Sequence, residues 1–170
     1  MINHLPDRLD LIATAEAGRQ LRGAVAVGSL ERLLPVLASD EGELQVEMEL
    51  GKAPDGTHYM KGSIHGAVML KCQRCLGNMS LPLDLVFRLG LVASDEAANA
   101  LPDRYEPLLV TAEPVLIADV IAEEVLLAIP IVPRHSDRVA CQEFVKDYTP
   151  PENQQRKNPF AVLAGLKSKQ

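Results

Sequence analysis

Residues 43–51, ELQVEMELG, alternate without a break: Leu44, Val46, Met48 and Leu50 fall on one side of an extended chain, Glu43, Gln45, Glu47 and Glu49 on the other. A period of two matches a half-buried β-strand and conflicts with the 3.6-residue period of a helix. The APDGTH that follows holds Asp55-Gly56, a pair whose ready access to positive φ favours a tight hairpin turn. Two further long strand patterns come next, HYMKGSIHGAVMLKC and MSLPLDLVFRLGLV, and the segment joining them carries Cys72 and Cys75. Three or four antiparallel strands in succession therefore dominate the chain, with both cysteines at a hairpin tip. The fold class expected is α+β: an antiparallel sheet, able to curl toward a barrel, with one amphipathic helix packed on it and a flexible C-terminal segment.

That helix lies in PVLIADVIAEEVLLAIP. Leu116, Ile117, Val120, Ile121, Leu127 and Ala128 make an apolar face, Asp119 and Glu123 stand opposite, and Pro130 and Pro133 end it. Before the strand run, LRGAVAVG alternates weakly as a strand does. SLERLLPVLAS offers Ser29 as an N-cap and Leu30, Leu33, Leu34 and Leu37 as a helical stripe that Pro35 keeps short or kinked. EPLLVT reads as a short edge strand after a polar loop. Residues 1–149 are expected to form a single domain, and 150–170 a flexible basic segment. Within that segment NPFAVLAGL has Asn158 as cap and Pro159 at the first helical position, followed by Phe160, Val162, Leu163 and Leu166. It reads as a short helix that docks on its own domain or on a partner.

Charge narrows the function classes. Four basic residues after Pro150 stand against Glu152, so the last 20 residues carry +3 and the first 150 carry −9 of the total −6. An acidic body repels phosphate and argues against non-specific nucleic-acid binding by the folded part. With three Phe, three Tyr and no Trp, the core must be aliphatic and base-stacking platforms are scarce. The N-terminus lacks a cationic start followed by an apolar run, and the greasy stretch 115–132 contains Asp119, Glu123, Glu124 and Pro130. Neither secretion nor membrane spanning is expected, and a cytoplasmic location is. Three cysteines, an odd number with no export signal, then imply reduced thiols.

Cys72 and Cys75 have the spacing of half a zinc site, and Gly77 permits the tight turn such a knuckle needs. The candidates to complete it are His135 and Cys141, with no second Cys-x-x-Cys in the chain. A redox pair would want a thiolate at a helix N-terminus in a βαβ unit, and the surrounding strands supply none. Thiols packing as small hydrophobes near a turn remain the plain alternative. Arg74, between the thiols, suits a bidentate grip on phosphate or carboxylate, or a pairing with a nearby acid. Asp119 with Glu123 or Glu124 reads as a solvated helix face before it reads as an acid–base pair, and there is no Gly-rich phosphate loop and no nucleophile elbow. No catalytic residue, metal or other cofactor is expected. The basic residues Arg156, Lys157, Lys167 and Lys169 offer a modest RNA contact, or a basic rim on a helix docking into a protein groove.

Three separated motifs in order, LKCQRCLGNMSLPL, EEVLLAIPIVPRH with Cys141 six residues on, and NPFAVLAGLK, resemble the bacterial YceD family, the large ribosomal RNA subunit accumulation proteins. GAVAVGSLERL and YEPLL are similar to that family too, so the resemblance covers nearly the whole chain. It implies a non-enzymatic factor supporting synthesis, processing or stability of 23S ribosomal RNA, partnered by a ribosome-assembly or RNA-processing protein or by the RNA precursor itself. The matching residues are Cys72, Gln73, Arg74, Cys75 and Leu76; Glu123, Glu124, Leu126, Leu127, Pro130, Pro133 and His135; and Asn158, Pro159 and Phe160. Of these, Leu126, Leu127 and Pro130 are expected to be architectural. Gln73, Arg74, Arg156, Lys157, Asn158, Pro159 and Phe160 are the contact candidates. Some members carry a second cysteine pair toward the C-terminus; this sequence has Cys141 alone there, preceded by His135. The rival readings are a metal-dependent RNA-processing enzyme built on Cys72 and Cys75, and an adaptor unrelated to RNA.

Overall fold

The alternation in residues 43–92 becomes three long strands. In the computed structural model, which describes residues 5–111, 113–137 and 139–141, β1 is Arg8–Leu9, α1 Leu11–Glu16, β2 Gln20–Ala26, β3 Leu37–Ser39, β4 Glu43–Lys52, β5 His58–Lys71 and β6 Asn78–Val92. There follow α2 Asp95–Asn99, β7 Glu106–Leu109, β8 Val115–Leu116 and α3 Ile117–Ala128. The main sheet runs β2-β4-β5-β6-β7, with β3 also paired to β5 beyond the end of β4; all pairings are antiparallel except β6 with β7. β4 turns into β5 at the expected place, where Gly56 takes φ +88° and its N–H reaches the Ala53 carbonyl at 2.9 Å.

Strand alternation sorts the faces as the sequence requires. Leu44, Val46, Met48 and Leu50 are buried, as are Met60, Ile64, Val68 and Leu70 on β5 and Leu83, Phe87, Leu89 and Leu91 on β6. Each fully buried Leu or Ile contributes about 1.5–3 kcal/mol relative to exposure. The opposite face is a polar ladder in which Glu47 lies beside Ser63, Glu49 beside Lys61 and Gln45 beside His65. The Lys61 ammonium meets Glu49 at 2.9 Å. Gly62, on the inner face between Met48 and Phe87 in register, is where the Phe87 ring packs on the backbone: a Cβ there would stand 2.6 Å from Phe87 Cζ and 2.4 Å from the Glu47 carbonyl oxygen.

α1 and α3 bury Leu11 and Ala15, and Ile117, Val120, Ile121, Ala122 and Val125, in the same core. Residues 8–9 pair with 115–116 and so tie the N-terminal segment to the start of α3. No helix among the described residues is long and apolar enough to cross a membrane.

Four expectations change. The sheet does not close, since β2 and β7 are its two ends. The single packed helix is joined by two short ones, α1 and α2. The stretch from Ser29 forms no α-helix: two 3₁₀ turns, Val27–Ser29 and Leu34–Val36, lead into β3. The Ser29 hydroxyl donates back to the Ala26 carbonyl at 2.7 Å rather than capping, and Pro35, without an N–H, cannot continue a helical ladder. Leu30 and Leu33 are buried while Leu34 is 39% exposed. Leu127, placed on the apolar face of the helix, is 74% exposed, and Val125 is buried in its stead. The flexible basic segment 150–170 and its NPF helix lie outside the described residues.

Candidate functional site

β5 and β6 pair from Tyr59 with Gly90 to Lys71 with Asn78, and the six residues 72–77 close their far end. The Cys72 N–H donates to the Gly77 carbonyl at 2.9 Å and the Leu76 N–H to the Cys72 carbonyl at 2.8 Å, with Leu76 at φ +61°. The Cys-x-x-Cys pair therefore does sit at a hairpin tip. After α3 the chain breaks at Pro130 and Pro133 and passes alongside the tip: the Gln73 N–H donates to the Pro133 carbonyl at 2.8 Å.

That passage brings four residues together. Ligand atoms of Cys72, Cys75, His135 and Cys141 all lie within 4.8 Å of one another. Cys72 Sγ is 3.8 Å from Cys141 Sγ; His135 Nδ1 is 3.5 Å from Cys75 Sγ and 3.4 Å from Cys141 Sγ. The other ring nitrogen, Nε2, lies 3.1 Å from the Asn78 carbonyl oxygen. A carbonyl only accepts, so Nε2 carries the proton and, in the neutral ring, Nδ1 presents its lone pair to the sulfurs. Cys72 and Cys141 are buried and Cys75 is half-buried; all three are free thiols.

Electrostatics at the cluster act on Cys72 and Cys75 in opposite directions. Burial pushes the Cys72 thiol up, but the backbone N–H groups of Cys75, His135 and Arg74 point at the sulfur and, with the Cys75 side chain, bring it down to about 5. Cys75 goes the other way, raised by burial and by its sulfur neighbours against one favourable backbone N–H from Gly77. Contact with Cys141 and Cys72 raises the His135 imidazole above its ordinary value.

Arg74 faces this cluster. Its Nε–H donates to Cys141 Sγ at 3.0 Å, and its NH2 group donates to the carbonyls of His135 at 3.3 Å and Asp137 at 3.2 Å. Gln73 is exposed at the tip, as is Leu76 at 67%. Ile131 and Val132, in the facing segment, are 101% and 47% exposed. Arg156, Lys157, Asn158, Pro159 and Phe160 lie outside the described residues.

One grouping escaped sequence reasoning. Tyr59 and Tyr105 stack with ring centroids 6.2 Å apart, Arg104 lies 4.9 Å from the centre of the Tyr105 ring, and with Lys52, Lys61 and Arg88 they line a groove of about 410 Å³. Aromatic rings among cations suit a nucleotide. Three of the four cations are already paired, Lys52 with Glu16, Lys61 with Glu49 and Arg104 with Asp55, which blunts the attraction. The only sequence trace was two tyrosines 46 positions apart, and no spacing rule joins them.

The model of a family described as large ribosomal RNA subunit accumulation protein YceD matches residues 60–167. A protein of that name from Haemophilus influenzae (strain ATCC 51907 / DSM 11121 / KW20 / Rd) is 36% identical over 170 residues, covering 97% of each chain. No solved structure matches.

Proposed function

Since the chain belongs to the YceD family of large ribosomal RNA subunit accumulation proteins, we propose that it supports accumulation of 23S ribosomal RNA as a binding factor, without catalysing a reaction. The observation that carries this is the end-to-end similarity to a relative named for that role. The charge balance supports a protein of the assembly or processing machinery as the main partner, since an acidic body disfavours extended contact with RNA.

The hairpin tip is the contact face in this reading. Gln73 and Leu76 present polar and apolar groups to solvent, Ile131 and Val132 add apolar surface from the facing segment, and the tip is held by backbone hydrogen bonds on both sides. A surface that is already ordered loses less entropy on docking. An RNA-processing enzyme at the cysteine cluster is less well supported, because four candidate ligands lying together would leave a bound zinc no open position, and a catalytic zinc keeps one.

The test is co-sedimentation. Tagged chain expressed at native level should travel with large-subunit precursors through a sucrose gradient, and Leu76→Asp with Ile131→Asp should release it without changing its melting temperature. Wild-type chain that never meets a precursor particle or assembly factor would sink the reading.

A further inference from the structure

We propose that Cys72, Cys75, Cys141 and Nδ1 of His135 form a structural zinc site that clamps the segment after α3 onto the β5–β6 hairpin tip. The inference stands on the geometry of this cluster alone and is independent of the ribosomal RNA reading.

The donor set fits the ion. Three thiolates and one imidazole are the ligands of closed tetrahedral Zn²⁺ sites, and soft sulfur selects against magnesium and calcium. The spacing fits as well. Bonds of about 2.3 Å to sulfur and 2.0–2.1 Å to nitrogen at tetrahedral angles put two sulfurs about 3.8 Å apart and a sulfur and nitrogen about 3.5 Å apart. The chain holds Cys72 and Cys141 sulfurs 3.8 Å apart, and His135 Nδ1 3.5 and 3.4 Å from the sulfurs of Cys75 and Cys141.

The surroundings match what such an ion requires. A metal-bound histidine donates its other ring N–H to a carbonyl or carboxylate, which fixes the tautomer and the ring plane, and His135 Nε2 meets the Asn78 carbonyl in this way. Zn²⁺ with three thiolates and a neutral imidazole carries one net negative charge. The Arg74 guanidinium, with Nε 3.0 Å from Cys141 Sγ, balances it. Thiols packing merely as small hydrophobes would call for neither a histidine lone pair nor an arginine N–H directed at sulfur. A redox role would want a helix N-terminus beside the pair, whereas Cys72 follows directly on β5. Four protein ligands leave no open position, so the site is structural.

The ligands come from two stretches about 60 residues apart in the chain, and one ion would join them where hydrogen bonds such as Gln73 to Pro133 already bring them together. Full-length untagged chain, purified with reductant and no added metal, should contain about one zinc per chain by mass spectrometry. Stripped chain should take up Co²⁺ with the red-region bands and sulfur charge-transfer absorption of a tetrahedral thiolate site. Amide exchange at 72–77 and 130–137 should quicken on chelation and slow again on adding Zn²⁺, while the amides of β4 stay protected. Cys75→Ser should lose the metal, and Cys75→His, which keeps a ligand, should retain part of it. Should Cys75→Ser fail to fold, the stripped and reloaded wild type decides. Chain that carries no zinc and, when reduced, binds neither Zn²⁺ nor Co²⁺ would overturn the proposal; unchanged exchange at the tip on chelation would overturn the clamp.

Discussion

Gly62→Ala is the sharpest probe of how the sheet seats the hairpin that carries the cysteine tip. The added methyl group would meet Phe87 Cζ at 2.6 Å and the Glu47 carbonyl oxygen at 2.4 Å. The ring can swing away by a fraction of an ångström, but the carbonyl is backbone of a paired strand and moves only if β4 and β5 separate. Overpacking of this kind costs about 1–3 kcal/mol, and the backbone contact places Gly62→Ala in the upper half of that range. For a chain of this length, about 2–3 kcal/mol corresponds to a fall of roughly 4–12 °C in Tm. Urea denaturation followed by circular dichroism measures it, with Phe87→Leu and the double variant completing a cycle. Relief of the ring contact should make the double variant more stable than additivity predicts by at least about 0.5 kcal/mol, with the carbonyl contact leaving the rescue incomplete. A Gly62→Ala chain as stable as wild type, or strict additivity in the cycle, would refute the close packing of Phe87 on this glycine.

Three further outcomes are expected. Leu50→Ala, at a fully buried position, should lower unfolding stability by about 2–5 kcal/mol, while Leu127→Ala, 74% exposed, should stay within about 0.5 kcal/mol of wild type by the same urea titration. Arg74→Ala should leave the fold intact and weaken zinc retention about 10–100-fold in competition with a chromogenic chelator; retention equal to wild type would remove Arg74 from the site. Glu124 has its carboxyl raised above the ordinary 4.5 by burial first and then by Glu106 and Glu123. The folded protein therefore holds that proton more tightly than the unfolded chain, so ionising Glu124 costs stability from the ordinary glutamate range upward and costs it in full above the raised folded value. Glu124→Gln should raise the melting temperature at neutral pH, with the gain vanishing in acid, and a gain that persisted in acid would contradict this origin.

The long strands were legible because each strand carries its own period, and Asp55-Gly56 marked the turn between two of them. α3 was legible for the same reason, its apolar positions and terminal prolines lying within one window. What failed was what depends on partners distant in sequence. Leu30, Leu33, Leu34 and Leu37 have helical spacing, yet Leu37 pairs with Leu70 across the sheet, and no local rule sees that competitor. α1 was passed over because six residues show less than two turns of period. Its signals were nevertheless present: Asp10 caps it, accepting the Ala13 N–H at 2.9 Å, and Gly18 follows at φ +60°. The four ligand candidates could be named from residue type and spacing. Their convergence could not, because it rests on how far β5 and β6 carry the tip and on where Pro130 and Pro133 turn the chain after α3.

If the chain sustains large-subunit ribosomal RNA, as proposed above, the level of that RNA must depend on it. Mature 23S and its precursors, quantified against 16S in cells lacking the chain and in the same cells with it restored, are the measurement. A lowered ratio of mature 23S to 16S is expected in the cells lacking the chain, corrected by the restored wild-type chain. An unchanged ratio in cells without the chain would contradict the proposal.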